Sequence, residues 1–459
     1  MHSAEDLRKK YPEFIFDSFE LNFLGSDLQI RFNFWLSPDL EFQTTLTFPG
    51  ITEERINQIG KAAFENLVFN LGMAEALSYW KATCSPLIKI KAGRLTPEQI
   101  EFWNNLLIQG LGEFFYQNQI DFTEKQFIRF EADNSSAPEI FSQPVNNRSL
   151  VMVGGGKDSA VTLEIFRQSE REFAPLILNP TQAALSIASS TNLEPIIISR
   201  TIDPKLIGLN SQGFLNGHTP FSGYLAFLGV LAGAVYDFEQ IVVSNESSAS
   251  EPTLEWLSRP INHQYSKSFE FEKDFANYCT NFLAPSIHYF SFLRPLTELQ
   301  IARLFARMPE YHQMFRSCNQ GSKQGIWCGN CAKCLFAYLI LYPYLGDKTA
   351  EIFGQDLFNK PELLPLIKQL IRAESLGKPF DCVGMADETK LALYLSIEKY
   401  REASEELPPL LKLSKELLDA DSEFDVEVTK KQILNSWNQD NNLSPEFASL
   451  LKNNLTDED

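Results

Sequence analysis

A strand, a glycine-rich turn and a helix follow one another between Leu150 and Phe166, and this succession constrains the fold more than any other feature. The apolar run Val151–Val153 leads directly into three glycines at positions 154–156, and an amphipathic segment starts at Lys157. Glycines let backbone N–H groups approach phosphate oxygens, and the N-terminus of the following helix adds a partial positive charge. The sequence therefore predicts a phosphate-binding loop at the end of a buried strand.

The side chains of this loop suit a nucleotide and its metal ion. Lys157 supplies a cation, Asp158 a carboxylate that suits Mg²⁺, and Ser159 a hydroxyl donor. The loop is not a Walker A motif, because Val151 and Asp158 occupy positions where that motif has glycine and serine or threonine. A glycine turn that merely connects strand and helix is the alternative. The residues predicted to bind the nucleotide are Gly154, Gly155, Gly156, Lys157, Asp158 and Ser159, joined by Asn245.

Short apolar runs separated by helical segments continue after the loop, and they predict βαβ units with a parallel sheet. These runs are Leu150–Val153, Leu176–Leu178, Pro195–Ser199 and Ile241–Val243. The fold class that follows is α/β, with a parallel sheet at its centre.

Three regions follow from the pattern along the chain. An alternation of apolar and polar residues at 13–48 is typical of an antiparallel sheet, which predicts an N-terminal α+β domain at 1–140. A polar linker at 133–147 leads to a nucleotide-binding catalytic domain at 148–345. We expect a helical C-terminal region with an acidic tail at 346–459.

The composition excludes some partners and compartments. The net charge of −19 repels phosphate backbones, so no nucleic acid is expected as a partner. Residues 1–14 lack the apolar core of a signal peptide, and the longest apolar run, 224–236, is too short to span a bilayer. We therefore expect a cytoplasmic protein without membrane insertion, in which the 7 cysteines are reduced.

Three cysteines at the spacing Cys-x2-Cys-x2-Cys, with a fourth upstream, predict a metal site. The four are Cys318, Cys328, Cys331 and Cys334. Four thiolates form a closed tetrahedral zinc site, which staples a loop and leaves no open position for catalysis. An iron–sulfur cluster and four buried thiols are the alternatives. The remaining cysteines are isolated and expected in the core: Cys84, Cys279 and Cys382.

Polar residues follow the strand predicted to end at Val243. Because ligands of open parallel sheets lie at the carboxyl ends of the strands, Asn245 and Glu246 are expected near the nucleotide. Glu246 shares Mg²⁺ with Asp158 in this interpretation, and a solvated loop carboxylate is the alternative.

Two polar segments supply candidate proton carriers. We rank the candidates as His263, His218, Tyr265 and Lys267. A polar surface loop would also explain the segment at 262–268.

Two arginines are singled out among those after residue 290. Arg294 precedes Pro295, and Arg316 lies close to Cys318. A planar guanidinium binds carboxylate or phosphate through paired donors, so both are predicted to bind substrate.

The loop Gly154–Ser159 resembles the PP-loop of the N-type ATP pyrophosphatases, Ser-Gly-Gly-x-Asp-Ser, with Gly154 replacing the first serine. That resemblance implies a PP-loop, adenine nucleotide α-hydrolase-like fold. It also implies cleavage of ATP between its α and β phosphates to form an adenylate. Without the serine hydroxyl, a backbone amide would have to serve at the first position.

Several segments together resemble the UDP-N-acetyl-α-D-muramoyl-L-alanyl-L-glutamate epimerase family. These are 154–159, 263–268, 288–291, 293–296, 301–306 and 315–319. The resemblance implies inversion of the terminal L-Glu of UDP-MurNAc-L-Ala-L-Glu to D-Glu, with ATP and Mg²⁺ consumed as AMP and diphosphate form. It places the protein in peptidoglycan precursor synthesis, with a downstream peptidoglycan ligase as a further partner.

This activity fits the candidate residues. A proton next to a carboxylate is very weakly acidic, and conversion of the carboxylate to an acyl-adenylate removes that obstacle. The glycine loop would supply the activation step, and the candidate proton carriers would supply the inversion. The alternatives are a PP-loop ligase or thiolase that adenylates another small substrate or base, and a non-enzymatic nucleotide-binding scaffold.

Overall fold

A computed structural model describes residues 2–135, 137–321, 324–373 and 376–455 of the chain. Within these ranges the protein is a mixed α/β structure, in which helices cover a ten-stranded sheet and more helices form the C-terminal region. Ser136 of the predicted linker and residues 456–459 of the predicted acidic tail lie outside the described residues.

The ten-stranded sheet has the strand order β12-β9-β6-β7-β8-β3-β2-β1-β4-β5, and β10 and β11 form a separate hairpin. The strands are β1 (Glu13–Leu24), β2 (Asp27–Ser37), β3 (Leu40–Phe48), β4 (Leu87–Arg94), β5 (Arg129–Asp133), β6 (Ser149–Met152), β7 (Phe173–Leu178), β8 (Ile196–Thr201), β9 (Gln240–Val243), β10 (Leu254–Trp256), β11 (Arg259–Ile261) and β12 (His288–Ser291).

The two halves of this sheet differ in strand direction. Strands β12, β9, β6, β7 and β8 are mutually parallel, which confirms the predicted parallel sheet. Strands β1, β2 and β3 are antiparallel, as the alternation at 13–48 predicts. An antiparallel pairing of Thr45 with Thr201 and of Thr47 with Ser199 joins β3 to β8. One sheet thus runs through both regions, and the predicted domain limits stay predictions.

Helices α1–α9 precede or accompany the parallel strands: α1 (Ala4–Lys10), α2 (Glu53–Ile59), α3 (Lys61–Trp80), α4 (Pro97–Gly110), α5 (Gly112–Gln117), α6 (Lys157–Gln168), α7 (Gln182–Ser189), α8 (Pro204–Ser211) and α9 (Phe221–Tyr236). The later helices are α10 (Phe269–Tyr278), α11 (Glu298–Ala306), α12 (Ala332–Leu345), α13 (Lys348–Phe353), α14 (Leu364–Leu370), α15 (Ala386–Glu402), α16 (Pro409–Ala420), α17 (Val426–Leu434) and α18 (Pro445–Leu455). None of the helices in the described residues combines the length and apolar character needed to cross a membrane.

Both faces of the central strands β6 and β9 are buried, as expected where helices cover a parallel sheet on each side. Along β6, Leu150 and Met152 pack in one core with residues of α3 and α9. Val151 belongs to the opposite core, with residues of α6, α11 and α12. This alternation follows from the two-residue period of a strand. Gly229 lets α9 approach β9, because an added Cβ there would lie 2.5 Å from Ile241.

Candidate functional site

A cleft of about 530 Å³ lies where the parallel strands β6, β7 and β9 end. The glycine loop forms one wall, and polar side chains from later segments form the others. Among the lining residues are Gly154, Gly156, Asp158, Ser159, Asn245, Lys267, Arg316 and Lys333. The structure therefore brings together four of the six loop residues singled out above with Asn245 and Arg316.

The glycine loop is held by its backbone conformation and by the side chain of Ser159. Gly155 has a φ of +90°, and an added Cβ would lie 2.9 Å from the backbone nitrogen of Ala184. Ser159 Oγ accepts a hydrogen bond of 3.2 Å from the Gly155 N–H and donates one of 2.9 Å to the Gly156 carbonyl. Gly156 is the N-cap of α6 and no side chain caps that end. The first N–H groups of α6 are therefore suited to an anion.

Lys157 and Asp158 form an ion pair in which the two side chains differ in exposure. The Lys157 ammonium is buried and contacts the carboxylates of Asp158 and Glu298. Asp158 keeps 31% of its side chain exposed and lines the cleft, whereas Lys157 lies behind it. Of these two side chains, Asp158 is therefore the one that could hold a metal ion in the cleft, and its metal binding stays a prediction.

Among the residues that the structure describes, three cationic residues line the cleft: Lys267, Arg316 and Lys333. The backbone N–H of Arg316 donates to the carbonyl of Gly155 at 2.8 Å, which fixes this segment against the glycine loop. The Arg316 guanidinium donates to the carbonyls of Gly325 at 2.8 Å and Gln313 at 3.0 Å. These cations give the cleft a positive lining inside an acidic protein, which favours a polyphosphate.

Arg294 and Glu246 lie behind the cleft. The Arg294 guanidinium is fully buried and donates to the Glu246 carbonyl at 2.6 Å, to Glu272 at 3.2 Å and to the Lys267 carbonyl. The Glu246 side chain is also buried, and its carboxylate accepts from Ser248 at 3.4 Å. Arg294 therefore ties together the segments that carry Glu246 and Lys267. Substrate binding by Arg294 and metal binding by Glu246 stay predictions.

The four clustered cysteines converge as predicted. One sulfur from each of Cys318, Cys328, Cys331 and Cys334 lies within 4.8 Å of the others, and no disulfide joins them. Backbone N–H groups donate to these sulfurs, including that of Gly321 to Cys318 at 3.0 Å. Because Arg316 precedes this cluster and Lys333 lies within it, the cysteine loop sets the position of two cleft cations.

His263 and His218 meet at the carboxylate of Glu113, which α5 supplies. His263 Nδ1 contacts Glu113 Oε2, and His218 Nδ1 lies 3.7 Å from the same oxygen. The two imidazole rings are 4.5 Å apart. Burial opposes the charge on His263, but Cys382 and Glu113 outweigh it and raise its pKa to about 9. Burial, with the positive His263 nearby, lowers the pKa of His218 to about 3.

Lys267 connects this histidine pair to the cleft. Its Nζ lies 3.3 Å from the sulfur of Cys382, whose charge also raises the pKa of His263. Tyr265 points elsewhere, because its hydroxyl accepts a hydrogen bond of 3.0 Å from Asn105 of α4. The structure thus brings together His263, His218 and Lys267 but not Tyr265.

Three residues of this site were not singled out in the sequence: Glu113, Lys333 and Cys382. The interpretation of Cys382 as a core residue is wrong, because it is half-buried in contact with Lys267, whereas Cys84 and Cys279 are buried. Glu113 lies inside the helical segment 112–117, and no local sequence pattern distinguished it as a site residue. Of the three, only Lys333 had a signal in the sequence, because it lies between Cys331 and Cys334 of the predicted metal site.

The fold and site define an α/β protein with a glycine loop at the carboxyl edge of a parallel sheet and a histidine–thiol cluster beside it. Residues 5–292 match the MurL N-terminal domain, and residues 314–423 match the MurL C-terminal domain. The chain belongs to the MurL family, which confirms the family resemblance seen in the sequence.

Three relatives carry the name UDP-N-acetyl-alpha-D-muramoyl-L-alanyl-L-glutamate epimerase. The protein from Salinispora tropica is 33% identical over 350 residues, which is 75% of each chain. The one from a Micromonospora species is 31% identical over 403 residues, covering 86% of this chain and 89% of the relative. The Xanthomonas oryzae protein is 33% identical over 330 residues, or 70% and 72%.

Proposed function

We propose that the protein is an ATP-dependent epimerase that inverts the terminal L-Glu of UDP-MurNAc-L-Ala-L-Glu to D-Glu and releases AMP and diphosphate. One observation carries this proposal: Lys267 lines the cleft of the glycine loop and also contacts the histidine–thiol cluster. An activating site and a proton-transfer site are therefore adjacent. The names of the three relatives agree with this substrate.

The activation step belongs to the cleft in this proposal. The α-carboxylate of the terminal glutamate attacks the α-phosphate of ATP, and diphosphate leaves as the acyl-adenylate forms. The first N–H groups of α6, together with Arg316 and Lys333, hold the phosphates. Asp158 would hold Mg²⁺, which offsets the charge of the phosphates. The glycine loop then serves as a PP-loop with a glycine at its first position.

The inversion step belongs to the cluster of His263, His218 and Lys267. An acyl-adenylate has no negative charge on its carbonyl, so its α-proton is removed more readily than that of the carboxylate. Glu113 orients His263 through Nδ1, as a carboxylate orients the imidazole in other acid–base sites.

The four cysteines fit a structural zinc ion. Sulfurs about 2.3 Å from one zinc ion lie about 3.8 Å apart at the corners of a tetrahedron. The sulfurs of Cys328 and Cys334 are 3.7 Å apart, and the N–H donors around the cluster suit thiolates. Zinc here would close the loop that carries Lys333, and an iron–sulfur cluster stays the alternative.

A reaction in D₂O tests the proposed function. Purified protein is incubated with ATP, Mg²⁺ and UDP-MurNAc-L-Ala-L-Glu, and the product is examined by chiral analysis and mass spectrometry. We expect D-Glu with one solvent deuterium at the α-carbon and one AMP for each turnover. AMP without inversion would instead support a ligase-type enzyme. If neither AMP nor D-Glu forms, the protein is not an adenylating enzyme for this substrate.

The variant Asp158→Asn checks the activating site. It should abolish release of diphosphate, because the cleft loses its metal-binding carboxylate. The matched control is Asp39→Asn, in the exposed turn between β2 and β3, which should behave as wild type. Equal diphosphate release by both variants would contradict the assignment.

A further inference from the structure

The thiol of Cys382 differs from the isolated buried cysteines in its partners. Cys279 is buried, and its sulfur donates to the backbone carbonyl of Ala284 at 3.5 Å. Cys382 is half-buried, its sulfur lies 3.3 Å from the ammonium of Lys267, and Cys382 and His263 each shift the pKa of the other. A sulfur that faces a cation and an imidazole is suited to chemistry rather than to packing.

The three groups around this sulfur have the arrangement of a nucleophilic site. Covalent catalysis requires a nucleophile within hydrogen-bonding reach of a base, and a third group that orients the base. Here Lys267 Nζ lies 3.3 Å from the sulfur of Cys382, the charge of Cys382 raises the pKa of His263, and Glu113 contacts His263 Nδ1. Glu113 and His263 are 150 positions apart in the chain, so only the fold brings them together.

The position of the thiol relative to the cleft favours a nucleophile that acts on a group bound there. Lys267 lines the cleft, which places the sulfur one side chain away from an adenylate formed there.

We propose that Cys382 takes the glutamyl acyl group from the adenylate, so that inversion occurs on a thioester of the enzyme. The proposal rests on the proposed function, which supplies the acyl-adenylate. The sulfur attacks the acyl carbon, a C–S bond forms, and the C–O bond to AMP breaks as AMP leaves with the electron pair. If the sulfur starts as a thiol, His263 takes its proton.

Water completes the reaction without any further reagent. The thioester carbonyl draws electrons from the α-carbon, so the α-proton can exchange with the histidine pair His218 and His263. Water then attacks the carbonyl, one of its protons passing to a histidine of the pair and the other to solvent, and the C–S bond breaks. The electron pair returns to the sulfur, and the glutamate carboxylate is restored.

The variants Cys382→Ala and Cys279→Ala test this proposal together with wild type. We expect Cys382→Ala to retain substrate-dependent exchange of ATP with labelled diphosphate, because the adenylate still forms on a folded protein. AMP release and D-Glu formation should fall together by at least about 100-fold. In wild type, acid quench during turnover should show the acyl mass on the peptide that contains Cys382, removable by hydroxylamine. Cys279→Ala should keep the adduct and both activities.

Each contrary result has its own meaning. A Cys382→Ala variant that releases AMP and returns L-Glu overturns the acyl transfer, since the adenylate is then hydrolysed directly. So does D-Glu formation by wild type with no mass added at Cys382. If wild type forms neither AMP nor D-Glu, the proposed function fails, and this inference fails with it.

Discussion

The residues around Cys382 determine the pKa of its thiol and therefore its reactivity. Burial by itself raises the pKa of a thiol, but the positive Lys267 and the hydrogen bond with His263 outweigh burial here and lower the pKa of Cys382 to about 6. The ordinary value is 9.0, so this sulfur is a thiolate at neutral pH. Cys279 shows the opposite case, because burial raises its pKa to about 12.

Alkylation of Cys382 should therefore increase as pH rises through about 6, since the thiolate is the reactive form. Iodoacetamide labelling from pH 5 to pH 9, read by mass spectrometry of the peptide, measures this midpoint. In Lys267→Met the midpoint should move toward 9, because the cation beside the sulfur is gone. Lys273→Met, on the exposed face of α10, serves as the control and should leave the midpoint unchanged. A midpoint near 9 in wild type would contradict this account.

At the scale of elements, the glycine loop packs directly against the segment that leads into the cysteine loop. The N–H of Arg316, just before Cys318, donates to Gly155 at 2.8 Å. An added Cβ at Gly156 would lie 3.1 Å from Ser317 Oγ, so the loops approach closely there. The local backbone of each loop therefore decides the shape of the cleft.

The variant Gly155→Ala should destabilise the protein and weaken nucleotide binding. The φ of +90° disfavours any side chain, and the new Cβ would press on the backbone of Ala184. A left-handed conformation costs about 1–2 kcal/mol for an L-residue, and the contact adds to it. Urea unfolding measures the loss. Gly154→Ala is the control for stability, because no atom lies within 4 Å of its Cβ position. Equal stability of the two variants would show that the loop is not constrained at Gly155.

Metal removal tests the cysteine loop. We expect one zinc per chain by elemental analysis, and a lower melting temperature after chelation, because ligand binding to the folded state stabilises it. Cys331→Ser should lose the metal, whereas Cys279→Ala should retain it. Detection of iron and inorganic sulfide in place of zinc would indicate an iron–sulfur cluster. Detection of no metal would exclude both a zinc site and a cluster.

At the scale of the whole molecule, the pairing of β3 with β8 joins the two halves of the sheet. A buried ion pair supports this junction. Arg200 of β8 binds Glu75 of α3 through two hydrogen bonds of 2.7 and 2.8 Å, and the Glu75 side chain has no exposed surface. The N-terminal and parallel regions therefore share packing and charge.

Removal of Glu75 should weaken the whole sheet. In Glu75→Ala the Arg200 guanidinium stays buried without its partner, and loss of one member of a buried pair costs about 3–5 kcal/mol. Urea unfolding followed by fluorescence and circular dichroism should show one transition, shifted to lower urea. Glu65→Ala, on the same helix with 41% of its side chain exposed, should cost less than about 1 kcal/mol. Two separated transitions in wild type would indicate that the halves unfold independently.

The sequence indicated the elements well but not their association into one sheet. Alternation at 13–48 and the apolar runs after residue 148 correspond to β1–β3 and β6–β9, because periodicity is a local property. The linker composition suggested separate domains, whereas the β3–β8 pairing depends on residues more than 150 positions apart, with Thr45 opposite Thr201. Local composition contains no information about such a pairing.

By itself, the sequence determined the glycine loop, the four-cysteine cluster and the family, since each depends on residue types at short spacing along the chain. Only the tertiary structure decided that Lys157 turns away from the cleft, that Arg294 is buried, and that Cys382 faces Lys267. These outcomes depend on how distant segments pack, because burial and nearby charges determine what a side chain can do. The glycine loop was evident in the residues themselves, whereas the histidine–thiol cluster exists only in the folded chain.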